Sequence, residues 1–218
     1  MWVKICGNTR LEDCLVAAET GADAVGFVFA KGKRTVTAAQ VAGITAELPD
    51  LLEKIGVFDW ADASAVIEAA RSAGLTGVQL HRAFDPVFAA AVRAGLPGVK
   101  LVQVVHWDVD APSGSRFRED VDAVVASGLV DAVLVDSRTA SASGGTGVTL
   151  DWDAAAEALE GVGLPVILAG GLRAENVAEA IAAMRPFGVD VSSGVESGVP
   201  GVKDAAKVGA FVRAARGV

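Results

Sequence analysis

The stretch VKICGNTRLEDCLVAAETGADAVGFVF, residues 3–29, reads as strand, helix, strand. Its two ends, VKIC (3–6) and AVGFVF (24–29), are apolar on both parities, as parallel strands covered on each face must be. Between them Leu11, Cys14, Leu15 and Ala18 fall on one helix, so Cys14 is expected in the core. Thr9 and Glu12 have the spacing of a capping box, which would start that helix by satisfying its free backbone donors. Parallel strands need such a crossover, so the stretch is one βαβ unit.

The unit recurs along the chain. Further strand-like runs are EKIGVF (53–58), GVQL (77–80), KLVQVV (100–105), AVLVD (132–136), PVILAG (165–170) and DVSSG (190–194), which makes eight. Thr37 with Gln40 is a second capping box, Pro86 suits a first helical turn, and Gly74, Gly95 and Gly128 suit helix ends. GADAVGF, LVDAVLV and GVDVSSG each place an aspartate, Asp23, Asp131 or Asp190, where a strand should begin, which reads as turn chemistry. Eight βα units without a break in composition predict a single (β/α)8 TIM barrel over residues 1–218, with an open doubly wound sheet as the alternative.

Composition narrows the function. Hydrophobic residues make up 52% of the 218-residue chain and charged residues 21%, enough apolar surface for a large core. The net charge of -8 disfavours nucleic acid and anionic membranes as partners, because both demand clustered Lys and Arg. An anionic ligand would therefore need a local positive site. Neither a signal peptide nor a membrane span is legible, and a soluble cytoplasmic protein is expected. Two cysteines make no disulfide framework, and two histidines give a structural metal almost no ligands, so reduced thiols and no structural metal are expected. No helix shows an obvious apolar seam, which favours a monomer.

In a barrel the working residues belong at the carboxyl ends of the strands. Cys6, Arg34, Asp59, His81 and Asp136 all fall there and should face one mouth. A buried cysteine alone is more often packing, but a thiol facing an aspartate can form a base and acid pair. Lys4 shares the parity of Cys6 and should point into the lumen, where an ammonium needs a partner. Asp190 could supply it, or Lys4 could keep the Cys6 thiol ionised. Arg34 lies in the charge run KGKRTV, which is either a solvated surface or a fork for a substrate carboxylate; Lys31 and Lys33 fit the former. His81 is either a polar group at the mouth or a satisfied core histidine.

LAGGL (168–172) and DVSSGVES (190–197) end the seventh and eighth strands, where barrels commonly bind phosphate through unobstructed amides. Gly170, Gly171, Ser192, Ser193 and Gly194 are the candidates. SASGGTG (141–147) either closes over a ligand or merely links strand six to the next helix; Gly144 and Gly145 are its candidate substrate contacts.

These motifs together resemble the phosphoribosylanthranilate isomerases of tryptophan biosynthesis. KICGNTR, GADAVGFVF, KRTV, QLH, LVDSRT, GGTGVTLDW, PVILAGGLRAENV and GVDVSSGVESGVPGVKD carry the resemblance in order along the whole chain. It implies an Amadori rearrangement of N-(5-phosphoribosyl)anthranilate, a phosphorylated small molecule, without cofactor or metal. It also implies Cys6 as general base, Asp136 as general acid, Arg34 beside the anthranilate, and the glycine–serine loops around the phosphate. The chain departs from the pattern at Asn8, expected to alter only a loop, and at Arg82, expected to add charge beside His81. Two rivals remain: a histidine-pathway aminoaldose isomerase, disfavoured because that family carries Asp where this chain has Cys6, and a phosphosugar-binding barrel without turnover.

Overall fold

The structure, a computed structural model, describes residues 1–108, 115–139, 142–143 and 150–218. Eight strands form a closed parallel ring: β1 (Trp2–Ile5), β2 (Ala24–Val28), β3 (Glu53–Phe58), β4 (Gly77–Leu80), β5 (Lys100–Asp108), β6 (Ala132–Thr139), β7 (Val166–Leu168) and β8 (Gly188–Val191). Each pairs with its successor, and β8 returns to β1 with Lys4 opposite Asp190. The barrel is therefore closed, and the open-sheet alternative is wrong. Residues Ala142–Ser143 add a short antiparallel pair to the end of β6.

Eight helices wrap the ring: α1 (Leu11–Glu19), α2 (Ala38–Thr45), α3 (Ala63–Ser72), α4 (Pro86–Gly95), α5 (Ser115–Ser127), α6 (Trp152–Ala158), α7 (Val177–Met184) and α8 (Ala205–Arg216). Their apolar faces and the outward strand residues build the main core, with Cys14 fully buried in it as expected. A smaller cluster of Val102, Val104, Ala132, Leu134, Ile167 and Ala169 fills part of the lumen. Polar residues complete that lumen: Lys4, Gln79 and Asp190 are all buried and joined by hydrogen bonds. No described helix is long and apolar enough to cross a membrane.

Local chemistry agrees with the sequence in several places and departs in others. Thr37 and Gln40 form their reciprocal box, and Pro86 opens α4. Thr9 does not cap α1: its hydroxyl donates to the Gly201 carbonyl at 2.8 Å, pinning the first loop to the last. Aspartates 62, 85, 151 and 204 cap four helices that the sequence reading had not assigned caps. Asp23 and Asp131 accept from the amides of Val3 and Leu101 on neighbouring strands, as turn residues should. Asp190 does not belong with them, because β8 begins at Gly188 and carries Asp190 inside the strand. Gly95 is the last helical residue of α4 and lies against Ile67, so it serves close helix packing rather than chain reversal.

The longest departure concerns β5 and β6. Both run past the expected strand ends, paired in register from His106 opposite Asp136 to Asp108 opposite Arg138. The polar segment HWD, beyond the apolar run KLVQVV, is thus strand, held by its neighbour rather than by its own apolarity.

Candidate active site

A cavity of about 280 Å³ opens at the carboxyl ends of the strands, lined among others by Cys6, Arg34, Asp59, His81, Asp136 and Ser192. The five strand-end residues singled out in the sequence do share one mouth. Cys6 follows β1 and Asp136 lies in β6, three places apart around the ring, so the two groups approach the cavity from well-separated strands.

Gly26 shapes the seat of the thiol. A Cβ there would lie 2.6 Å from Cys6 Sγ and 2.9 Å from Lys4 Cε, which shows that both side chains run over β2 inside the barrel. Below the thiol, the Lys4 ammonium donates to Gln79 Oε1 at 2.8 Å and to Asp190 Oδ2 at 3.0 Å. Burial works against this cation, but Asp190 and then Cys6 outweigh it and hold its pKa above the ordinary lysine value. The expected lumen ion pair is present.

Its effect on the thiol is partial. Burial raises the Cys6 pKa, Lys4 opposes that, Asp190 raises it again, and the net result is a thiol above its ordinary range. Lys4 pulls in the expected direction without winning. Asp136 is 8% exposed, and burial followed by the Asp190 charge pushes its carboxyl up to about 7, against Lys4 and the Ser137 amide. A carboxyl so placed is partly protonated near neutrality. His81 faces the same cavity with its pKa lowered to about 4 by burial and by Lys4, so its imidazole is neutral.

Arg34 is not a free fork. Its Nε donates to Glu196 Oε1 at 2.6 Å and its Nη2 to Oε2 at 2.8 Å. Glu196 is buried and also accepts from the Gly201 amide at 2.8 Å, while Lys203 Nζ lies 3.5 Å away and donates to the Ser192 carbonyl at 3.1 Å. Glu196 and Lys203 escaped the sequence analysis, although both sit in the quoted motif GVESGVPGVKD. The signal available was a carboxylate and an amine fixed inside a Gly- and Pro-rich loop, where a charge run would not normally be buried.

The phosphate-loop candidates converge on one wall. Gly170 and Gly171 take left-handed φ values of 89° and 63°, and a Cβ on Gly170 would strike Ser137. Ser192 and Ser193 line the same cavity, while Gly194 lies behind them in the 3₁₀ turn Ser193–Val195, where a Cβ would strike the Leu172 carbonyl. Asn176, another residue missed, braces this wall: its carboxamide accepts from the Arg173 amide at 2.8 Å and donates to the Gly171 carbonyl at 3.1 Å.

The two departures are placed differently from expectation. Asn8 is fully buried and donates to the carbonyls of Ile5 and Gly26, so it clamps β1 to β2 rather than merely altering a loop. Arg82 turns away from His81: it donates to the Trp60 carbonyl at 3.1 Å and lies over the Phe88 ring at 4.7 Å. Gly144 and Gly145 lie outside the described residues. Both histidines meet at Asp136, with ligand atoms of His81, His106 and Asp136 all within 4.8 Å of one another, a grouping that the residue count had discounted.

The family model described as "N-(5'phosphoribosyl)anthranilate (PRA) isomerase" matches residues 3–214. The chain belongs to this isomerase family. The N-(5'-phosphoribosyl)anthranilate isomerase of Pelobacter propionicus is 42% identical over 98% of this chain and 95% of its own. The crystal structure of phosphoribosyl anthranilate isomerase from Thermotoga maritima superposes with a TM-score of 0.85 at 32% identity, covering 100% of both chains. A further crystal structure of a phosphoribosyl anthranilate isomerase, in complex with reduced 1-(o-carboxyphenylamino)-1-deoxyribulose 5-phosphate, gives a TM-score of 0.79 at 32% identity, again over 100% of both chains. Membership of the phosphoribosylanthranilate isomerases and the closed barrel thus agree with the sequence resemblance.

Proposed function

We propose that the chain isomerises N-(5'-phosphoribosyl)anthranilate to the corresponding 1-deoxyribulose phosphate, with Asp136 as general acid and Cys6 as general base. The observation that carries the proposal is the placement of a carboxyl poised to about 7 and a thiol seated by Gly26 on separate strands of one cavity. Protonated Asp136 gives its proton to the ring oxygen, the C1–O bond breaks, and a protonated Schiff base forms. Cys6 as thiolate then removes the proton from C2, leaving an enolamine that tautomerises to the ketone. The iminium charge next to the sulfur favours the thiolate form at the moment it is needed.

The phosphate is assigned to the wall of Gly170, Gly171, Ser192 and Ser193, with Gly194 setting how closely that wall packs. Left-handed glycines and small serines leave amides unobstructed, and Arg34 and Lys203 offset the acidity of the chain nearby. Arg34, fixed by Glu196, is assigned to the anthranilate side together with His81. Lys4 and Asp190 support the thiol from below. The phosphorylated ligand of the product-analogue complex suits such a site, and a cytoplasmic biosynthetic enzyme is the setting it fits.

The test mixes the protein with freshly formed phosphoribosylanthranilate and follows loss of anthranilate fluorescence. Cys6→Ser and Asp136→Asn should each lower turnover by about 10²–10⁴-fold, the usual worth of a positioned acid or base. Turnover that survives either change would refute the assignment. Binding without turnover in the unaltered chain would favour the phosphosugar-binding barrel.

A further inference from the structure

We infer that His81, His106 and Asp136 form a binding site for a divalent transition metal ion of the zinc type at the mouth of the barrel. The three side chains come from different strands or strand ends. His81 follows β4, and His106 and Asp136 face each other across the β5–β6 extension. Their ligand atoms lie within 4.8 Å of one another, and the two imidazole rings stand at 78° with centroids 5.0 Å apart. Perpendicular rings at that distance do not stack, and they can both aim nitrogens toward one point.

The donor chemistry is selective. Two imidazoles and one carboxylate suit zinc and its neighbours rather than magnesium or calcium, which prefer oxygen alone. A point equidistant from three atoms held within 4.8 Å needs a contraction of less than about 1 Å to reach the ~2.0–2.2 Å bonds of zinc to His and Asp. Side-chain rotation supplies that without moving the strands. Three protein ligands leave a fourth position, and the cavity opens onto it, with the acidic Asp59 and Asp190 along the same lining. His81 Nδ1 is buried without a hydrogen-bond partner, a further sign that this ring has coordinating capacity to spare.

The metal would occupy the carboxylate that the proposed reaction uses to donate a proton. A bound ion therefore acts as a reversible inhibitor, competing with the sugar. This consequence rests on Asp136 being the acid; the site itself does not.

The experiment uses the full chain freed of metal by chelator, titrated with zinc by calorimetry and with cobalt(II) by visible absorption. One equivalent should bind, with intense cobalt d–d bands and no sulfur-to-metal charge-transfer band. His106→Gln and, as a second variant from another strand end, His81→Gln should each weaken binding at least tenfold, while Cys6→Ser should change it less than twofold. Zinc should inhibit turnover, with reversal by chelator, and His106→Gln should lose that sensitivity relative to its own metal-free rate. Absence of stoichiometric binding, unchanged affinity in both histidine variants, or a thiolate charge-transfer band would overturn the site. Binding as described without inhibition would uphold the site and count instead against Asp136 as the acid.

Discussion

The proton inventory of two side chains sets the behaviour of the catalytic proposal. The working form has Asp136 protonated and Cys6 ionised, yet Asp136 titrates at about 7 and the thiol above its ordinary range, so the lone proton of the pair prefers the sulfur. Only a minor tautomer reacts. The rate kcat/KM should rise with pH until about 7, where the doubly protonated pair loses its first proton. It should then stay flat and fall only as the thiol's own proton is lost; a profile already falling between pH 7 and 8 would contradict this. Lys4→Met tests the residue beneath. Removing the ammonium leaves Asp190 buried without its ion pair, which should cost about 3–5 kcal/mol in urea denaturation and raise the thiol pKa further, moving the alkaline limb upward. Unchanged stability and an unchanged limb would remove Lys4 from any supporting role.

Among the secondary-structure elements, what the sequence revealed depended on whether a segment carries its own signal. Strands β1 to β4 announce themselves by apolar runs, and Thr37 and Pro86 mark helix starts that depend on nothing distant. The β5–β6 extension has no such signal, because HWD becomes strand only by pairing with its neighbour, and His106 was hidden with it. Thr9 was misassigned because a hydroxyl suited to capping is instead taken by the Gly201 carbonyl, 192 residues away. That Cys6, Asp136, Arg34 and the glycine–serine loops would share one cavity was legible because barrel strands end at one mouth. Glu196, Lys203 and Asn176 were not, since their roles are to hold other groups. Two substitutions test this arrangement, one in the wall and one at a holder. Gly194→Ala should press the 3₁₀ turn off the Leu172 carbonyl and misplace the Ser192–Ser193 wall. KM should rise about 10- to 100-fold, equivalent to one charge-assisted hydrogen bond of about 1.5–3 kcal/mol, with kcat less affected. Glu196→Gln should release Arg34 and also act mainly on KM; an unchanged KM would show that the fork needs no anchor.

For the molecule as a unit, closure of the ring sets the first and last loops beside the cavity. The last strand pairs with the first, the loops after both meet at Gly7, and a Cβ there would lie 2.6 Å from Arg34 Cδ and 2.8 Å from Ser192 Oγ. A ligand filling the cavity would touch both loops and so brace the seam where the first and last strands join. The reduced product analogue at about 100 times its Kd should stabilise the fold by about 2.7 kcal/mol, raising Tm by roughly 5–10 °C for a chain of this size. No shift would mean that the ligand binds elsewhere or not at all. The Lys4–Gln79–Asp190 bond set has a last consequence: these buried groups fill the lumen beneath the thiol, leaving the cavity to open at the carboxyl ends of the strands. Aldose and ketose would then occupy the same cavity of the same free enzyme, so product is expected to raise KM for substrate without changing kcat, which initial rates at fixed product concentrations would check.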